Sequence, residues 1–320
     1  MRSEKWRWID TRYRFPALLL IALTSIVLAA CSNAGGEASG ATPPATDTAL
    51  IDVVTTTTIF ADFVQQVGGN RVAVQSLVPT SADIHTFTIA PGDIRAVSAA
   101  DLVVLGGAGL EASFEDAVVD HVRGALVVLT DGLALSDLAP RFRDDGPDSP
   151  TGRAIDPHFW LDVGLTIRAV EAIRAALVEV DSTGAPQYGA NAARYVGELE
   201  RLDREIADAL ELLAPERRAL VTFHDAFGYF AARYDLEILG FLVEGPEEEP
   251  NAGDVADLIL AIESRGLPLI FTEPQFESSI VERVAKEAGA EVGVLYSGFL
   301  NDDRPTYIDL MRGNARALIN

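Results

Sequence analysis

Cysteine occurs once in this 320-residue chain, at Cys31, so no intramolecular disulfide can brace the fold. Histidine is nearly as scarce, at four residues. No HExxH-type pair is present, which removes the usual helix-borne signature of a zinc peptidase. The chain also lacks a glycine-rich phosphate loop, a nucleic-acid-binding motif and an internal repeat. Basic side chains are few: 25 Lys and Arg face 48 Asp and Glu, for a formal charge of −23. Residues 1–30 hold five basic and two acidic side chains; without them 20 Lys and Arg remain against 46 Asp and Glu, a charge of −26. Such a surface repels phosphate backbones, so no nucleic-acid partner is expected. It raises local cation concentration, and it serves solubility equally well.

The long apolar run FPALLLIALTSIVLAA, Phe15 to Ala30, lies behind the basic residues Arg2, Lys5, Arg7, Arg12 and Arg14. A charged head and an apolar stretch of this length read as a signal peptide, residues 1–30, rather than a permanent span. Its end, Leu28-Ala29-Ala30-Cys31, resembles the lipobox of bacterial lipoproteins. That resemblance implies cleavage before Cys31, lipidation of Cys31, and an extracytoplasmic protein held to the bacterial membrane. An ordinary signal peptide with an incidental cysteine is the alternative. Each buried methylene of an acyl chain contributes roughly 0.8 kcal/mol, so several chains anchor stably. Residues 31–48 continue as SNAGGEASGATPPATDT after the cysteine, small, polar and without a hydrophobic face, and are expected to be a flexible tether.

From residue 49 the pattern predicts an α/β fold. IDVVTTTT, RVAVQSLVP, DLVVLGG and GALVVLT read as strands, with IFADFVQQVGG and IRAVSAA as helices between them, the latter capped by Asp93. Apolar strands alternating with helices point to a mainly parallel sheet covered on both faces. Helical spacing covers Leu161 to Val180, and a long helix begins near Tyr188; its length suits a spine between lobes, with small rather than wide lobe movements. The alternation then restarts: RALVTF, LEILGFLV, LPLIFTE and EVGVLYS as strands, DAFGYFAARY, DVADLILAIESRG, SSIVERVAKEAG and TYIDLMRGNARALI as helices. The expected organisation is an N-terminal lobe at 49–187, a connecting helix at 188–213 and a C-terminal lobe at 214–320. Ligands of such sheets bind beyond the carboxyl ends of strands, here between the lobes.

Three of the histidines stand there. His85 lies in DIHTFTIAPGD, His158 in DPHFWLD and His224 in TFHDAFGYF. Neutral imidazole is the commonest metal ligand. Pro157 restricts the backbone before His158, and Asp156 or Asp162 can orient a ring nitrogen from behind; Asp156 and Pro157 equally fit a capped helix start. Phe227, Tyr229, Phe230 and Tyr234 read as core. His121 reads as a partly exposed helix residue, and EGPEEEP, Glu244 to Pro250, as a solvated loop.

Taken together, the blocks SLVPTSADIHTFTIAPGDIRAVSAADLVVLGGAGLE, DPHFWLDV, VTFHDAFGYFAARYDLEILG and IFTEPQFESSIVERVAKEAG resemble the metal-binding solute receptors of ABC transporters. This is the cluster A-I family of periplasmic and lipoprotein receptors for zinc and manganese, including the high-affinity zinc uptake receptor. The resemblance covers roughly residues 50–316. It implies that His85, His158 and His224 are metal ligands, and that the protein captures an ion for a membrane permease and its ATPase. The third ligand is typically histidine in zinc-associated branches and glutamate in manganese-associated ones, so His224 points to Zn²⁺, with Mn²⁺ the alternative. The family's late strand commonly supplies a fourth ligand, an aspartate; here Leu295-Tyr296-Ser297 leads to Gly298. Water, Glu273, Asp302 or Asp303 are the candidates to replace it. The family's Pro before the first histidine and Glu three residues after it are Ile84 and Thr88 here, and no histidine-rich loop interrupts 135–156.

The expected function is extracytoplasmic capture of Zn²⁺ by a non-enzymatic, monomeric receptor. Two other classes share the constellation. A three-histidine zinc hydrolase would use Glu273 or Asp225 as general base. A cell-adhesion lipoprotein would hold the metal as a structural element.

Overall fold

Strands of four to seven residues and helices of up to 27 alternate along the chain in a computed structural model that describes residues 49–80, 82–133 and 155–319. The signal peptide, Cys31, the tether and most of the 135–156 loop lie outside the described residues.

The first lobe is built on β1 (Ile51–Thr55), β2 (Val72–Ser76), β3 (Leu102–Leu105) and β4 (Ala125–Val128), with α1 (Thr58–Gly68), α2 (Pro91–Ala99) and α3 (Glu115–His121) between them. The strands form one parallel sheet in the order β2-β1-β3-β4. All four residues of β3 are buried, as a central strand covered on both faces requires. Strand β1 ends earlier than its threonine run predicts. Thr57 leaves the ladder because its side chain accepts from Phe60 N at 3.2 Å and caps α1. Asp93 is not the cap of α2 but sits inside it: Pro91 opens the helix, and the Asp93 carboxylate reaches back to Ala90 N at 2.8 Å.

Helices α4 (Val163–Val180) and α5 (Ala185–Glu211) follow, and α5 begins three residues before Tyr188. At about 1.5 Å per residue α5 extends about 40 Å. Its buried stripe, Tyr188, Ala192, Tyr195, Leu199, Leu202, Ile206 and Leu210, recurs every three or four residues and packs on α1, α4 and the chain's last helix.

The second lobe contains β5 (Ala219–His224), α6 (Gly228–Arg233), β6 (Glu237–Val243), α7 (Ala252–Arg265), β7 (Leu269–Thr272), α8 (Ser279–Ala288), β8 (Glu291–Val294) and α9 (Tyr307–Ile319). Its strands pair in parallel as β5-β6 and β7-β8, and β5 lies beside β7. Helix α9 returns to pack against α5 and α1.

One core is therefore shared. Phe60 of α1, Trp160, Tyr195 of α5, Phe230 of α6 and Tyr307 of α9 belong to a single buried cluster, while Val221, Ile262 and Val284 sit in a smaller one beneath α7 and α8. Trp160 packs edge-on to Phe60 at 5.5 Å. The described residues fall within one compact unit.

Candidate metal centre

Each histidine is delivered by a different device. His85 follows β2 in a turn held by Asp83, whose Oδ1 accepts from His85 N at 3.0 Å and Thr86 N at 3.3 Å. Burial pushes the Asp83 carboxyl above its ordinary value; the nearby His224 and the two backbone donors pull it the other way.

His158 is fixed from behind and from the side. Asp156 Oδ1 accepts from both the backbone N of His158 at 2.9 Å and its Nδ1 at 2.8 Å. The next three residues, Phe159, Trp160 and Leu161, are fully buried and form a single tight turn. Trp160 Nε1 donates to Ser297 O at 2.7 Å, Tyr307 OH to Trp160 O at 2.7 Å, and Tyr229 OH to Asp156 O at 2.9 Å. Of the two aspartates able to orient the ring, Asp156 does so; Asp162 instead caps α4, accepting from Gly164 N at 2.6 Å.

His224 is the last residue of β5 rather than the first after it. Its Nδ1 lies 2.6 Å from Glu273 Oε1, and Glu273 immediately follows the neighbouring strand β7. The other carboxylate oxygen accepts from Ser297 Oγ and from Gln275 Nε2 at 3.2 Å. A carboxylate only accepts, so the Nδ1 of both His158 and His224 carries a proton, and in the neutral ring each Nε2 presents a lone pair.

Those lone pairs converge. His85 Nε2 lies 3.2 Å from His158 Nε2, and His224 Nε2 lies 3.4 Å from His158 Nε2. The three ligand atoms lie within 4.8 Å of one another, the one such grouping of His, Cys, Asp and Glu among the described residues. Nitrogens bound tetrahedrally to zinc at about 2.0–2.1 Å stand about 3.3–3.4 Å apart, so two of the separations already suit such an ion. His158 and His224 are buried and His85 only partly so, which leaves the His85 side as the route of access.

The remaining candidates stay outside this grouping. Glu273 is buried but engaged by His224, Ser297 and Gln275, while Asp302 and Asp303 are exposed. His121 ends α3 exposed, with Nδ1 2.8 Å from Ala117 O, and Glu247, Glu248 and Glu249 are exposed. Phe227, Tyr229, Phe230 and Tyr234 are core residues, although Tyr229 also reaches the site through Asp156. Sequence reasoning missed Ser297 and Gln275, whose work depends on β7 and β8 being adjacent. Their signal was present in the segments EPQF and LYS.

The profile of the periplasmic family described as zinc-uptake complex component A matches residues 53–320. The chain is 32% identical to the iron-binding protein YfeA of Yersinia pestis, over 94% of this chain and 95% of that protein. It is 28% identical to the manganese-binding lipoprotein MntA of Halalkalibacterium halodurans, over 94% and 96%. Among solved structures, the periplasmic zinc-binding protein TroA of Treponema pallidum superposes with a TM-score of 0.77 at 27% identity, covering 84% of this chain and 98% of that one.

Proposed function

The chain belongs to the family of periplasmic zinc-uptake component A proteins, and we propose that it captures Zn²⁺ on His85, His158 and His224 and delivers it to a membrane permease driven by an ATPase. It is the substrate-binding component of a metal ABC transporter and works outside the cytoplasm, on the membrane; members of its family are transport receptors, not enzymes. Lipidation of Cys31 would keep it beside the permease, limiting the space it searches. The ion is cargo, so it must be held firmly and then released.

The observation that carries the zinc reading is an all-imidazole donor set, two of whose nitrogen separations, 3.2 Å and 3.4 Å, suit tetrahedral zinc. Nitrogen donors suit zinc, whereas manganese favours a larger share of oxygen. Asp156 and Glu273 hold two of the rings in the tautomer that aims a lone pair inward, so little reorganisation is needed on binding. Manganese is the second reading, because relatives of nearly equal similarity carry manganese, iron and zinc in their names.

Uptake of isotopically labelled Zn²⁺ by cells with and without the chain tests the role. Uptake that falls on deletion and returns with the wild-type chain but not with His224→Ala supports it. Zinc uptake indifferent to the chain contradicts it.

A further inference from the structure

We propose that Thr58 and Thr80 are positioning residues for the metal centre. They clamp Leu300 to the first lobe and so set Ser297, the residue on which the supports of His158 and His224 meet. The inference rests on the metal-capture reading above. It adds residues of the first lobe that govern the site through a segment of the second.

Ser297 bears on both rings. Its hydroxyl donates to the Glu273 carboxylate that holds His224 Nδ1. Its carbonyl accepts at 2.7 Å from Nε1 of Trp160, two residues beyond His158. The two histidines stand 66 positions apart in the chain, yet one residue touches the support of each. A shift of Ser297 therefore moves both supports, and with them the spacing of the two Nε2 atoms, 3.4 Å as held here.

Ser297 lies between two backbone clamps. On one side Tyr296 gives both its backbone groups to Asn314 of α9. Tyr296 N donates to Asn314 Oδ1 at 2.9 Å, and Tyr296 O accepts from Asn314 Nδ2 at 2.8 Å. On the other side Leu300 gives both of its own to the first lobe. Leu300 N donates at 2.8 Å to Oγ1 of Thr58, the first residue of α1. Leu300 O accepts at 3.3 Å from Oγ1 of Thr80, in the loop after β2. Leu300 is buried, and a buried N–H stripped of its acceptor is costly, so the bond to Thr58 persists.

The segment is braced further along. Asn301 and Arg304 exchange backbone bonds, each N donating to the other's O at 3.1 Å. Tyr307 N then donates to Asp62 Oδ2 of α1 at 2.9 Å. Thr58 and Asp62 lie one turn apart on the same face of α1, so one helix holds the segment at Leu300 and again at Tyr307. The first lobe thereby gauges where Ser297 stands, and Ser297 passes that position to Glu273 and Trp160.

The test is Zn²⁺ titration of the full chain and its variants, well below their melting temperatures and with folding checked by circular dichroism. Thr58→Val keeps the side-chain shape and removes the acceptor. It should lower Zn²⁺ affinity by about tenfold, the low end of the cost of losing an orienting group. Thr58→Ser restores the hydroxyl and should recover most of that loss. Asp181→Asn, which loosens the fold elsewhere, should leave affinity unchanged and so separates destabilisation from positioning. Thr58→Val combined with Ser297→Ala should cost less than the sum of the two, since both act through Ser297. Where Thr58→Val does not fold, Thr80→Val probes the same clamp at an exposed residue. Wild-type affinity in the folded valine variant would overturn the inference while leaving metal capture intact. So would a loss that serine does not recover, an equal loss in Asp181→Asn, or losses that simply add in the double variant. A wild type that binds no Zn²⁺ would overturn both this inference and the reading it rests on.

Discussion

His224 Nδ1 donates to Glu273 Oε1 across 2.6 Å, joining the last residue of β5 to the first residue beyond β7. Both groups are buried. The bond fixes the tautomer and orientation of the ring, and Ser297 and Gln275 in turn fix the carboxylate. Glu273→Gln should therefore weaken Zn²⁺ binding by about 10–100-fold, the usual cost of losing an orienting partner. His224→Ala should cost more, because a donor is lost outright. Isothermal titration of both variants checks the order; equal affinity of Glu273→Gln and wild type would remove Glu273 from the site.

Trp160 joins the His158 segment to the chain after β8 by its bond to Ser297 O, and to α1 by edge-on packing against Phe60. Trp160→Ala should destabilise the apo protein by about 3–5 kcal/mol, the range for deleting a large buried aromatic. Trp160→Phe should cost less but should still weaken metal binding, since it leaves Ser297 O without its donor. Denaturant melts and zinc titrations of the two variants separate packing from positioning.

Arg71 and Asp181 tie the start of β2 to the turn between α4 and α5, with Asp181 Oδ2 accepting from Arg71 Nε at 2.8 Å and Tyr188 OH at 2.7 Å. Partial burial opposes the Asp181 charge, but bonds from Thr183, Tyr188 and Arg71 outweigh it and hold the carboxyl well below the usual range. A carboxyl depressed in the folded state contributes stability above its unfolded value, about 3.9, and loses it as pH falls toward the folded value. Asp181→Asn should thus lower the melting temperature at pH 7, and the gap to wild type should narrow below about pH 4. A gap independent of pH would contradict the assignment.

Protons compete with the ion for imidazole nitrogen. An unperturbed imidazole titrates near about 6.5, so Zn²⁺ affinity should be steady above pH 7 and fall progressively below about pH 6. A flat profile across that window would exclude a binding site dominated by histidine.

Much of this was legible in the sequence because the constraints are local. Apolar strands, glycine-ended helices and the three histidine motifs each occupy one segment. Asp156 was readable as the partner of His158 for the same reason, although the choice between Asp156 and Asp162 required the turn at Phe159–Leu161 and the capping of α4. What could not be read was long-range. Glu273 meets His224 only because β5 and β7 are neighbours, and Ser297 closes the network across another strand boundary. The return of α9 to α5 and α1, which draws residues of both lobes into a common core, likewise leaves no local mark. Capping details such as Thr57 and Asp93 shifted element ends by a few residues because side-chain bonds compete with strand pairing.

The most direct test of the central claim is a competitive titration of the purified apo protein with Zn²⁺ and Mn²⁺, with metal content measured at saturation. Zinc bound one to one, displacing manganese and lost in His158→Ala, is the predicted result. Preference for Mn²⁺ with no detectable zinc binding under competition would contradict it.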